Sequence, residues 1–203
     1  MSNVPHRPAP PTCLPTGRMC TVSVDLDVLR WLSEHRTPTL TTMARWAMDM
    51  GASPAVMAAV GAVGLIVVVA KRWWWQGATV AVASVAALVV ASVFKQMVQR
   101  ARPSGDLAVV QIGGWAMPST IAAMTAAVVV ATYLVLPWSA GQRRWTAALL
   151  AVVVLLIGVA MVYLGAHWPT DVLVGWAVGA GVGGVVASLP LLGLHAETGN
   201  LPR

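Results

Sequence analysis

The sequence predicts an all-α, polytopic membrane helix bundle of about five transmembrane helices, preceded by N-terminal interfacial helices. Three observations carry this expectation. Hydrophobic residues make up 58% of the 203 positions and charged residues only 10%, where a soluble domain carries roughly 25% charged residues. The mean hydropathy is +0.74. The apolar residues also gather into five long runs, each near the ~17–25 residues that a membrane-crossing helix needs.

Residues 1–22 contain Pro5, Pro8, Pro10, Pro11 and Pro15. They read as a disordered tail, since little in them can be buried to offset the entropy of ordering. Met19 is an alternative start, and the prolines leave no apolar core for a cleavable signal peptide. Cys13 and Cys20 lie in this tail and fit no zinc spacing. The membrane-embedded domain is expected over 23–193, with a C-terminal tail from 194 to 203.

Two short amphipathic segments come next. Val28, Leu29, Trp31 and Leu32 form one apolar stripe, and Leu40, Met43, Trp46 and Met48 form another beyond Pro38. Both are too polar to span and read as helices lying in the interface. The second has an alternative reading as a partial span packed on the bundle. Glu34 and His35 read as solvated, and the methionines as packing.

The first span is expected over about 54–70, closed by Lys71 and Arg72. The second covers about 75–94 and continues as helix to about Arg100. The third covers about 120–136, the fourth 146–164 and the fifth 171–192. Trp73, Trp74, Trp75, Trp138 and Trp145 fall at run ends, where indole rings anchor at the membrane surface. Gly175, Gly179 and Gly183 repeat every four residues, a spacing that lets helices approach closely.

The net charge of +6 suggests loops facing anionic head groups. The chain has no basic-aromatic patch, which argues against a nucleic-acid partner. Lys71, Arg72, Arg143 and Arg144 mark one face as cytoplasmic by the positive-inside tendency, while Arg30, Arg36 and Arg45 on the other face pull the opposite way.

Threading five spans brings the ends of even runs and the starts of odd runs to one face. Lys95, Arg100, Arg102, Ser119, His167 and Asp171 then share a bundle mouth. Ionisable residues at such depth are costly and mark functional sites. Pro169 suits the first turn of a helix, so His167 precedes a helix N-terminus and Asp171 lies inside it. That end favours an anion such as phosphate. The arrangement suits a phosphate-bearing ligand whose lipid tail stays in the bilayer. Each part alone has a plainer reading. A His and an Asp four apart are commonly a structural pair, and Lys95, Arg100 and Arg102 alone would be interfacial anchors. Arg100 reads as an interfacial or supporting charge, and Trp168 and Trp176 as packing or anchors.

Lys95, six residues and Arg102-Pro103 resemble the first motif, K-x6-R-P, of the phosphatidic acid phosphatase type 2 / vanadium haloperoxidase family. Pro118-Ser119-Thr120-Ile121 resembles a degraded second motif, P-S-G-H. The stretch Tyr163 to Asp171 resembles the end of the third, S-R-x5-H-x3-D, with His and Asp in register. The resemblance covers about residues 25–190, and the apolar runs point to the membrane branch. It implies a lipid phosphatase in which His167 is the nucleophile and Asp171 orients its imidazole. Lys95, Arg102 and Ser119 would bind the phosphate. No cofactor or metal is expected. It also implies a bacterial plasma-membrane protein with its site on the non-cytoplasmic face.

The chain departs from this pattern at the family's acid: Ile121 stands where the second motif has its His. Ala160-Met161 stands where the third has Ser-Arg. A general acid is worth ~10²–10⁴-fold, and most for a poor leaving group. An alkoxide is about as poor as hydroxide, whose conjugate acid has pKa ~15.7; a phosphate monoester has a second pKa of ~6. A catalytic form of this chain is therefore expected to favour a lipid diphosphate, such as a polyprenyl diphosphate, over phosphatidic acid. Water, or remotely His35, would be the proton source. The alternative is an impaired relative that binds lipid phosphate as a carrier, sensor or assembly partner.

Overall fold

The computed structural model describes residues 23–198. The proline-rich tail expected over 1–22 lies outside them, as do residues 199–203. Among the described residues the chain forms α-helices and no strand: α1 (Ser23–Glu34), α2 (Pro38–Ala52), α3 (Pro54–Lys71), α4 (Trp74–Val98), α5 (Thr120–Val135), α6 (Ala140–Tyr163) and α7 (Pro169–Thr198). The last helix runs past the boundary at 193 that the sequence suggests.

Local chemistry sets these boundaries. Thr37 and Ser53 cap α2 and α3, each followed by a proline whose missing N–H costs nothing at the first helical position. Ser139 and Gln142 form a reciprocal capping box at α6. Arg72 and Gln99 end α3 and α4 in the left-handed conformation. Ser119 caps α5 by accepting the Ala122 N–H.

Among the described residues, four helices are long and apolar enough to cross a membrane: α3, α4, α6 and α7. The fifth expected span, α5, is apolar but has only 16 residues. At 1.5 Å per residue it is about 24 Å long, short of a hydrocarbon core of ~30 Å. It compensates by sitting inside, packed on α4, α6 and α7. Ala122, Ala123, Ala126, Ala127 and Ala131 of α5 are all buried. They meet the glycine edge of α7, where a Cβ on Gly175 would stand 2.6 Å from the Ser119 carbonyl oxygen and one on Gly179 would overlap the Ala123 carbonyl. Small residues on both helices let the backbones touch. By contrast, α3 has no buried side chain and packs along α2 and α4.

The two amphipathic helices are too short to span and gather at the site end of the bundle, α1 on α6 and α7 and α2 on α6. Leu29 of α1 is buried with Leu107, Ala116 and Trp168. Arg36 donates to the carbonyls of Tyr163 and Leu107, and Arg45 to that of Val109. These bonds tie α1 and α2 to the 99–119 loop and to the α6–α7 turn. Gly165 has φ +71°, and a Cβ there would lie 2.5 Å from the Leu107 carbonyl oxygen. Only glycine lets that turn sit so close to the loop.

Candidate functional site

The threading expectation holds. The end of α4, the start of α5 and the α6–α7 turn meet, and Lys95, Arg102, Ser119, His167 and Asp171 are brought to one end of the bundle. The Ser119 N–H donates to the Asp171 carbonyl oxygen at 3.0 Å, tying the α5 and α7 N-termini together.

Trp168 is the N-cap position of α7 and Asp171 its third residue. Asp171 Oδ2 accepts the Trp168 N–H at 2.9 Å, half of a capping box. The same oxygen lies 3.6 Å from His167 Nδ1, an ionic approach longer than a hydrogen bond. Nδ1 has no hydrogen-bond partner among the described residues. Nε2 of His167 lies 3.3 Å from Arg102 Nη1. A guanidinium only donates, so Nε2 accepts, and the proton of the neutral ring sits on Nδ1, toward the carboxylate. His167 is buried, and burial holds its pKa below the ordinary histidine value. Asp171 partly opposes this, while Arg102 and Lys95 add to it.

Arg102 is half-buried. Besides His167 it donates to the carbonyls of Ala166 (2.6 Å) and Gly114 (3.1 Å). Burial lowers its pKa, with Asp171 opposing, but a guanidinium stays charged throughout the working range. It borders a cavity of about 170 Å³ also lined by Gly105, Gln111, Gly165 and Ala166. Lys95, on the last turns of α4, is partly buried and has no hydrogen-bond or ion-pair partner among the described residues; it bears electrostatically on His167. A largely apolar groove of about 300 Å³ lies between α1, α6 and α7, lined by Val28, Leu32, Val172, Leu173 and Trp176 among others.

Ser119 is different. It is fully buried, and its hydroxyl donates to Met161 Sδ at 3.6 Å while accepting the Ala122 N–H. Met161, Ala166, Val172 and Ala122 form an apolar cluster on which Ile121 packs. Two positions that depart from the motif, Ile121 and Met161, thus lie in an apolar cluster with Ala166, the chain neighbour of His167. His35 is exposed, stacked on Trp31 with ring centroids 4.5 Å apart and bonded to the Trp31 carbonyl. It makes no contact with His167 among the described residues.

Two further residues support the site. Of the two readings open for Arg100, the structure gives the supporting one: it is 4% exposed and forms ion pairs with Asp171 Oδ1 at 2.8 Å and Asp25 Oδ2 at 2.5 Å. Its guanidinium also lies over the Trp168 ring, 5.4 Å from the centroid, and Trp168 in turn is buried. Asp25, on α1, is 1% exposed. It accepts from the Thr170 N–H at 3.0 Å and the Thr170 hydroxyl at 2.5 Å, capping α7 from the far end of the chain. The signal was present: Asp25, Leu29 and Leu32 share one i, i+4, i+7 stripe, so the carboxylate lies on the inward face of α1.

A family model described as the PAP2 superfamily matches residues 73–191. The fold is similar to that of the transmembrane PAP2-type phosphatidylglycerolphosphate phosphatase from Bacillus subtilis, with TM-score 0.73 and 24% identity over 83% of this chain and 85% of that one. It is also similar to LpxE of Aquifex aeolicus, with TM-score 0.66 and 22% identity over 81% and 95% of the two chains. No curated protein matches significantly.

Proposed function

The chain belongs to the PAP2 superfamily, a family of phosphatases, and from that premise we propose that it is an integral membrane lipid phosphatase acting on a lipid diphosphate such as a polyprenyl diphosphate. The observation that carries this is the placement of His167. Its Nε2 lone pair faces Arg102 and its Nδ1 faces Asp171, at a helix N-terminus beside an unpaired lysine. This is the tautomer a histidine nucleophile needs.

In this reading Arg102 Nη1 turns from Nε2 to a phosphoryl oxygen, and the freed Nε2 lone pair attacks the terminal phosphorus, forming a P–N bond as the P–O bond to the lipid monophosphate breaks. The Nδ1 proton stays on the ring, and Asp171 stabilises the resulting positive charge. Water then attacks phosphorus, breaks the P–N bond and releases inorganic phosphate, with Nε2 recovering its lone pair. Lys95 and Arg102 neutralise the phosphoryl oxygens as charge builds. Ser119 joins them only by leaving Met161. Ile121 donates no proton, so the leaving group has to depart as an anion, which a phosphate monoester does far more readily than an alkoxide. The apolar groove between α1, α6 and α7 suits the lipid tail. The site faces the non-cytoplasmic side of a bacterial plasma membrane.

The Ser119–Met161 contact favours a second reading, in which the site binds a lipid phosphate and never forms the P–N bond. One experiment separates the two. Detergent-purified protein is given a polyprenyl diphosphate and phosphatidic acid side by side, with His167→Ala as control. Release from the diphosphate that His167→Ala abolishes supports the hydrolase. Faster release from phosphatidic acid contradicts the diphosphate preference. Binding without release, and without radioactive phosphate trapped on His167, leaves the binder.

A further inference from the structure

The buried group that the proposed mechanism leaves unused is Asp25, and its bonds bear directly on Asp171. Arg100 has two terminal nitrogens. Nη2 goes to Asp25 Oδ2, while Nη1 is shared between Asp171 Oδ1 and the Thr170 hydroxyl. Arginine and carboxylate prefer a two-point, fork-to-fork pairing. Here that pairing is prevented, because Asp25 occupies one arm of the fork. Arg100 therefore touches one oxygen of Asp171, and the other, Oδ2, is left to accept the Trp168 N–H at 2.9 Å and to lie 3.6 Å from His167 Nδ1.

We propose that Asp25 is a positioning residue for the candidate site: by holding Arg100 Nη2 it keeps Arg100 from chelating Asp171, so that one carboxylate oxygen stays available to His167. The charges agree with this role. Asp25 and Arg100 cancel, and Asp171 keeps its negative charge for the imidazole. Without Asp25, Arg100 closes on Asp171 with both arms and draws Oδ2 from the Trp168 N–H and away from His167. The proposal rests on the reading of His167 and Asp171 as a working pair. It assigns α1, a helix outside the bundle core, a part in that pairing.

The test compares the wild type with Asp25→Asn, Arg100→Gln and the double variant, as full-length protein in detergent. The readout is the titration midpoint of the His167 imidazole, followed by NMR with labelled histidine and assigned with His167→Gln. Arg102, Asp171 and Lys95, the charged groups bearing directly on His167, are unchanged in all four. Asp25→Asn should lower the midpoint by about one unit, a tenfold loss of proton affinity. The double variant should return it to the wild-type value or above, because the competing arginine is gone. Phosphate release should follow the same order, with the loss in kcat and little change in KM.

An unmoved midpoint in Asp25→Asn, or a double variant no nearer the wild type than the single, overturns the proposal: Asp25 would then only anchor α1. If Asp25→Asn does not accumulate, Arg100→Gln carries the test alone. It leaves two carboxylates without their cation and should raise the midpoint; an unchanged or lower one overturns the proposal. A wild type that releases no phosphate sinks the hydrolase reading and leaves the order of midpoints to be judged by itself.

Discussion

Arg102 Nη1 lies 3.3 Å from His167 Nε2 and 2.6 Å from the Ala166 carbonyl oxygen. The same nitrogen thus fixes the backbone of the α6–α7 turn and covers the histidine's lone pair. A phosphate entering the site finds a cation already beside the attacking atom.

Arg102→Ala is expected to lower kcat/KM for the preferred lipid by about 10²–10³-fold, the usual cost of one charge-stabilising donor. Arg102→Lys should recover little, because an ammonium is a point charge and cannot span three acceptors in one plane. Steady-state phosphate release for the three proteins checks both statements.

Restoring an acid should change substrate preference. Ile121 packs on the cluster containing Ala166, the neighbour of His167. Ile121→His is expected to raise release from phosphatidic acid by up to ~10²-fold, the lower end of what a general acid supplies. Release from a polyprenyl diphosphate should rise much less, since its leaving group needs no proton. Equal gains on both lipids would show that proton donation does not limit the wild type.

The pH dependence follows from burial. The neutral imidazole attacks, and burial holds the His167 pKa below its ordinary value. Phosphorylation of His167 should therefore rise with pH through a midpoint below ~6.5 and be flat above it. Asp171 opposes the lowering, so Asp171→Asn should move the midpoint further down. Single-turnover labelling across pH measures both.

Packing can be tested apart from chemistry. A Cβ at Gly179 overlaps the Ala123 carbonyl, while one at Gly181 meets nothing. Gly179→Val should prevent α5 and α7 from docking and sharply reduce the yield of folded protein. Gly181→Ala should be neutral or stabilising by up to ~1 kcal/mol, the helix-propensity difference between the two residues. Thermal melting in detergent separates them.

The bundle and the gathering of Lys95, Arg102, His167 and Asp171 at one end were legible because both follow from the order of the apolar runs. Apolar runs report spans, and threading them fixes which ends meet. The fates of Ser119, Arg100 and Asp25 were not. Whether Ser119 faces a ligand or Met161 depends on how α5 and α6 pack. Arg100 was left open between an interfacial and a supporting charge because its two carboxylates lie 75 and 71 residues away. Asp25 sat in a helix whose polar residues suggest water, and only its place on the Leu29 stripe told otherwise. The inward place of α5 was not legible, because a buried helix and a lipid-facing one are equally apolar.

The cap that Asp25 places on Thr170 joins positions 145 residues apart. It has a consequence for biogenesis. The ribosome delivers α1 first and the start of α7 last among these helices, so Asp25 waits through the synthesis of α3 to α6 before its helix terminus exists. Arg100 can meet Asp25 earlier, but Asp171 and His167 arrive together with the cap. The site is therefore closed in a single late event, and a partly made chain carries its cations without the histidine they surround.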